Sequence, residues 1–339
     1  MKLAALAPAL LAAAVLPGVA SAHTGSTLPV ATNFSAHVTR AVPGVQAKVV
    51  DGDQTLWLRA PASSIVRVPG TLGEQLFRFD ARGVWLNLRS PTAQSDRIDR
   101  FDLRPSPSPS APPLWHRVTS AHAYAWHEHR LHVLEPLAHA AGVVGPWEIP
   151  VVVDGRRRRL AGVLDYRPPG RTWIWIGATA AASLLAAGAA VRRRTALGAV
   201  ALAVVPLSAA LRIGRELYGR PNVPLVGDVE IGITAAVGVA LLAGLAARDQ
   251  GTRVLTAFVV GFVGLYEGVT MLPLLTHAIA LNALPSSVAR VIEVLVFAGA
   301  VGALSGSIFG SAWREEIAPM GRDVGPGLEH ELVAVPERD

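Results

Sequence analysis

The chain has 339 residues, 51% of them hydrophobic and 17% charged, and a formal net charge of +6; its mean hydropathy of +0.39 is too apolar for an ordinary soluble protein. It contains no cysteine, which excludes a disulfide framework, a thiolate metal site and a catalytic thiol. The positive charge is almost all arginine, scattered through loops and helix ends. A nucleic-acid binder instead gathers basic residues and aromatics on one face, so nucleic acid is not expected as a partner.

Residues 1–22 carry Lys2, an apolar stretch from Leu3 to Leu16, the helix-breaking pair Pro17 and Gly18, and then Ala20-Ser21-Ala22. That pattern predicts a signal peptide cleaved after Ala22, with His23 as the mature N-terminus and the following domain exported. From His23 to about residue 170 no run is apolar enough to span a bilayer, and the pattern has the period of two that marks strands. Val45, Ala47 and Val49 alternate with polar residues, and short runs follow at 56–58, 65–68, 76–79 and 84–88, separated by Gly, Pro, Asp and Ser. Trp147 to Val153, Asp154-Gly155 and Arg156 to Tyr166 read as a hairpin with a type I′ turn, and Pro150 marks its first strand as an edge or a bulge. The proline-rich stretch 105–113 reads as an extended loop. Many short strands in about 150 residues predict an Ig-like or cupredoxin-like β-sandwich, with a barrel as the alternative.

Six of the ten histidines lie between His116 and His139, densest in His122-Ala-Tyr124-Ala-Trp126-His127-Glu128-His129-Arg130-Leu-His132. In a strand, His127 and His129 share one face about 6–7 Å apart along the chain, while Tyr124, Trp126, Glu128, Arg130 and His132 face the other way. Neutral imidazole suits zinc and cupric copper. Methionine occurs only at Met1, Met271 and Met320, so soft sulfur ligands for cuprous copper are missing from the exported part. The candidate ligands are His127 and His129, with His122 and His132 in the same cluster. His23, as a free N-terminus, could add an α-amine and an imidazole. The competing reading is a hydrogen-bonded polar network oriented by Glu128 and Arg130.

Five stretches near 173–191, 196–213, 226–246, 254–275 and 288–311 approach the roughly 20 residues of a spanning helix. The second is the weakest, with Pro206 inside it. An exported first domain puts Arg192, Arg193 and Arg194 on the cytoplasmic side, and an odd number of spans leaves the tail 313–339 cytoplasmic, with a composition of disordered character. Glu267, Glu293, Arg212 and His277 then gather in the outer half of the bundle. One reading makes them a polar cavity, lined also by Tyr266 and Met271; the other pairs Arg212 or Arg215 with Glu267 or Glu293.

The run from Trp115 to His132, together with Gly83-Val-Trp-Leu-Asn-Leu-Arg-Ser-Pro-Thr92, resembles a family of uncharacterised actinobacterial membrane proteins with a secretion signal, an exported β domain and C-terminal membrane helices. A more distant similarity is to copper-resistance proteins of the CopC type, exported sandwiches that bind cupric copper through an N-terminal histidine and an Asp-x-His pair. That resemblance implies His23 as one ligand and His127-Glu128-His129 as the pair, with His127 where that family carries Asp. The expectation is a chain of β + transmembrane α class in the cell (plasma) membrane. Its exported domain handles copper(II) or zinc, and its partners are the lipid bilayer and a metal ion. The alternative is a structural or signalling membrane protein without metal. An enzyme ranks third, because no nucleophile motif, P-loop, dinucleotide fingerprint or HExxH occurs.

Overall fold

The computed structural model of the chain describes residues 29–96, 98, 103–104, 106, 108–132, 140–218 and 225–310, with side chains undescribed over 225–230. The signal segment, His23, His139 and the tail lie outside the described residues.

The alternating runs form strands where the period of two predicts them. The strands are β1 (Ala31–Thr32), β2 (Phe34–Arg40), β3 (Gln46–Val50), β4 (Thr55–Arg59), β5 (Val66–Pro69), β6 (Gln75–Asp80), β7 (Gly83–Asn87), β8 (Trp115–Thr119), β9 (Ala123–His127), β10 (Gly142–Val153) and β11 (Arg156–Tyr166). Seven of them make an antiparallel sheet in the order β2-β11-β10-β5-β6-β7-β8, and β3-β4-β9 make a second, also antiparallel. Asp154 (φ 48°) and Gly155 (φ 80°) both take left-handed backbone in the β10–β11 hairpin, as a type I′ turn requires. Pro150 pairs with Arg159 of β11, while β5 pairs only with Val152 and Val153. The missing proline N–H is thus tolerated on a stretch of β10 with a single partner strand.

The two sheets share one core. Leu56 and Leu58 of β4 and Trp126 of β9 bury against Val66, Val68, Phe77, Phe79, Leu86, Ile149 and Leu160 of the larger sheet. The Phe77 ring lies 4.8 Å from that of Trp126 and 5.4 Å from that of Tyr124. The face of β9 that carries Tyr124 and Trp126 is therefore the core face, as the alternation predicts, and the opposite face carries His127 outward.

Between β7 and β8 lies a one-turn-and-a-half helix, α1 (Pro91–Ser95). The C-terminal half contains α2 (Thr172–Arg192), α3 (Arg194–Leu217), α4 (Leu225–Leu245), α5 (Gln250–Met271), α6 (Pro273–Thr276), the short strand β12 (Ile279–Ala280) and α7 (Ser286–Phe309). Four helices are long and apolar enough to cross a membrane: Thr172–Arg192, Arg194–Leu217, Gln250–Thr276 and Ser286–Phe309. At about 1.5 Å per residue they run about 31–41 Å, the scale of a hydrocarbon core of about 30 Å. These helices mark a membrane protein. Helix α3 continues through Pro206. Helix α7 packs against α2 so closely that a Cβ on Gly302 or Gly306 would meet the backbone of Ala186 or Ala190 at 3.0–3.1 Å. Small residues at such crossings let helices gain contact where the surrounding lipid is as apolar as they are.

The β domain is fastened to these helices at three places. Strand β1 pairs with β12, Ala31 opposite Ala280 and Thr32 opposite Ile279. Asn33 Oδ1 accepts the Ala278 amide at 2.8 Å, and Val30 O accepts the Leu281 amide at 2.9 Å. Arg215 of α3 forms an ion pair of 3.0 Å with Asp51 in the β3–β4 turn.

Candidate metal centre

Strand β9 ends at His127 because Glu128 caps a 3₁₀ turn, His129–Leu131, its carboxylate accepting the Arg130 amide. That carboxylate is fully buried and also accepts from Arg130 Nε (2.7 Å), Arg130 Nη2 (2.6 Å) and Trp126 Nε1 (3.1 Å). Arg130 Nη1 donates to Pro69 O (3.0 Å), locking the turn to the larger sheet. Leu131 enters the core, and the chain then brings His132 back to the side of His127 and His129. Continued alternation places His132 on the opposite face. That expectation fails because the strand stops at a cap rather than running on.

The three imidazoles form a triangle. The ring centroids are 4.8 Å apart for His127 and His129, 4.8 Å for His127 and His132, and 5.8 Å for His129 and His132. Nε2 of His127 and Nε2 of His132 approach to 3.3 Å. Two nitrogens bound tetrahedrally at about 2.0–2.1 Å from one ion stand about 3.3 Å apart.

Buried carboxylates hold two of the rings from behind. His132 Nδ1 lies 3.1 Å from Asp53 Oδ2 and 3.3 Å from Gln54 Nε2, and His129 Nδ1 lies 2.6 Å from Asp96 Oδ1. Asp53 is 4% exposed and Asp96 is 0% exposed. A carboxylate that accepts from Nδ1–H leaves the Nε2 lone pair for a metal, the arrangement typical of ligating histidines; Asp53 is so placed beside His132, and Asp96 takes that role beside His129 in its ionised form. Local sequence explains how Asp96 arrives. Ser90 caps α1, Pro91 takes its first position, and Asp96 closes its end, its amide donating to Thr92 O. Glu74 anchors this start by accepting from Ser90 Oγ (2.6 Å) and the Thr92 amide (3.1 Å). Among the described residues no group of three or more His, Asp or Glu side chains is already arranged to hold a metal ion.

Burial pushes the Asp96 carboxyl up to about 8, the Glu128 charge adding to it and Arg130 opposing it. Above its ordinary value of 3.8 the unfolded chain has released this proton, while the folded chain keeps it until about 8. The group's contribution to stability is therefore full below the ordinary value and is lost as pH rises through about 8. Asp96→Asn is expected to remove up to about 1.4 kcal/mol per pH unit of that decline. Thermal unfolding of the chelator-treated full chain across this window checks it, and an unchanged slope would show that Asp96 ionises normally.

The other candidates lie apart. His122 sits before the start of β9, its backbone O accepting the Ala60 amide, some five residues and roughly 17 Å along the strand from His127. Arg212 pairs with Glu267, Arg215 reaches out to Asp51, and His277 Nδ1 lies near Thr276 Oγ1 (3.0 Å) and Pro273 O (3.1 Å) at the end of α6. Tyr266 is exposed and Met271 is buried among apolar residues. Glu293 is fully buried, with neither carboxylate oxygen hydrogen-bonded among the described residues. An unsatisfied buried polar group costs about 1–3 kcal/mol. Glu293→Leu is thus expected to raise the unfolding free energy of the purified chain by about that amount, and a lowered value would show the carboxyl to be engaged.

This chain matches no family model, no curated protein and no solved structure.

Sequence reasoning picks out the three histidines but misses Asp53, Gln54 and Asp96. The first two follow Asp51-Gly52, a turn signal between two apolar runs, and the third closes a helix announced by Ser90-Pro91.

Proposed function

We propose that this chain is a membrane-anchored extracytoplasmic metal-handling protein whose β domain binds cupric copper or zinc through His127, His129 and His132. The observation that carries the reading is the pair of Nε2 atoms 3.3 Å apart, beside two imidazoles whose Nδ1 atoms are held by buried Asp53 and Asp96. The domain reads as a sandwich, since its two sheets bury one shared core. Helix α4 supplies a fifth span, the signal sequence sets the β domain outside, and the tail lies in the cytoplasm. The resemblance to CopC-type proteins supports the same metal, with His23 as a further ligand.

A second reading has support of its own. The His127–His132 contact is also a hydrogen bond, and the described side chains do not close into a ligand set unaided. In that case the histidines are a polar network that stiffens the domain. Titration of the full chain in detergent with cupric and zinc ions separates the two. Stoichiometric binding at about micromolar affinity or tighter supports the metal reading, and its absence for both ions rejects it.

A further inference from the structure

Four consecutive residues, Asp51-Gly52-Asp53-Gln54, connect β3 to β4 and touch the membrane helices at one end and the histidine cluster at the other. Asp51 takes left-handed backbone (φ 58°) and holds Arg215 of α3 in a pair whose side chains are 8% and 6% exposed. Thr55 Oγ1 donates to the other Asp51 oxygen (3.3 Å). Gly52 (φ 76°) is pressed against the segment that enters the membrane half: its O accepts the Ala36 amide, and a Cβ there would stand 2.5 Å from Thr32 Cγ2 and 2.9 Å from Phe34 O. Thr32 belongs to β1, the strand that pairs with β12. Asp53 Oδ2 accepts from His132 Nδ1 (3.1 Å), Gln54 Nε2 donates to Asp53 Oδ1 (3.1 Å), and Gln54 O accepts the Glu128 amide (3.1 Å) at the start of the turn carrying His129.

We propose that the Asp51–Gln54 turn couples occupancy of the histidine site to the docking of the β domain on the membrane helices. This rests on the metal reading above. The physical argument is stiffness. The turn is fixed on one side by Arg215 and β1, so a shift of His132 toward a bound ion must either be absorbed in Asp53 and Gln54 or pass to Asp51 and Thr32. Strained αL backbone at Asp51 and the close approach at Gly52 leave little slack for absorption. Linkage requires the effect to run both ways: metal firms the docking, and docking raises metal affinity by the same factor.

The test is amide hydrogen exchange on the full chain in lipid nanodiscs, with metal binding measured on the same sample. Saturating cupric ion, and separately zinc, is expected to slow exchange at the Ala31, Thr32, Ala278 and Leu281 amides by about 5-fold or more. In Asp51→Asn/Arg215→Gln, which removes both charges together, metal still binds but the slowing is lost. Gln54→Ala, which leaves the interface pair intact, is expected to reduce the slowing at saturating metal and serves if the double variant does not fold. Metal that binds without slowing exchange in the unaltered chain, or that slows it equally in the variants, overturns the coupling while leaving the metal site standing. A chain that binds no metal overturns both.

Discussion

Arg215→Leu is expected to destabilise the full chain by about 3–5 kcal/mol, the loss typical when one member of a buried ion pair is removed. Arg215 is 5% exposed and Asp51 is 6% exposed, so the substitution leaves a carboxylate that water does not reach. The loss falls on docking as well as on the turn, because Asp51 sits in the β domain and Arg215 in a membrane helix. Arg215 is itself imperfectly served: its Nε and Nη2 find no hydrogen-bond partner among the described residues. Replacing both members, as in Asp51→Asn/Arg215→Leu, is accordingly expected to cost less than Arg215→Leu alone, since no bare charge stays buried. Unfolding in a common detergent, read as a double-mutant cycle, checks both statements. A loss under about 1 kcal/mol for Arg215→Leu would place the pair with solvated surface bridges.

His127→Ala and His132→Ala are each expected to lower cupric affinity by at least about 100-fold, and Asp53→Asn and Asp96→Asn by about 10–100-fold. The ranking follows from position. His127 and His132 present the closest nitrogens, whereas Asp53 and Asp96 act through the ring they orient. Asparagine keeps the shape of each carboxyl and withdraws its charge, at Asp96 only above the pH of about 8 at which that carboxyl ionises, so a change in affinity reports on ring basicity and tautomer rather than on packing. His122→Ala, at the far end of β9, is expected to bind as the unaltered chain does. Competition titration against a chelator of known affinity measures all five. Equal losses at His122 and His132 would mean that binding follows histidine content rather than this geometry.

The strands, the hairpin turn and the four long helices were legible because each depends on local pattern: alternation in β3 and β4, Asp154-Gly155 between two apolar runs, unbroken apolar stretches between charges. His127 and Trp126 fall on opposite faces of β9 for the same reason. Alternation misplaces His132 because the strand period ends where Glu128 caps the chain. Asp53 and Asp96 were out of reach for another reason: they meet His132 and His129 across 79 and 33 residues, and no periodicity encodes such contacts. The membrane charges show the same limit. The pairing of Arg212 with Glu267 was among the expected combinations, but Arg215 found its partner in the β domain, a choice that only docking decides.

The most direct measurement is electron paramagnetic resonance, with electron spin echo modulation, on the full chain loaded with one equivalent of cupric ion. Remote-nitrogen modulation from more than one equatorial imidazole is expected, reduced in His127→Ala and in His132→Ala and unchanged in His122→Ala. A copper signal without imidazole modulation, or one indifferent to His127 and His132, would contradict the metal reading.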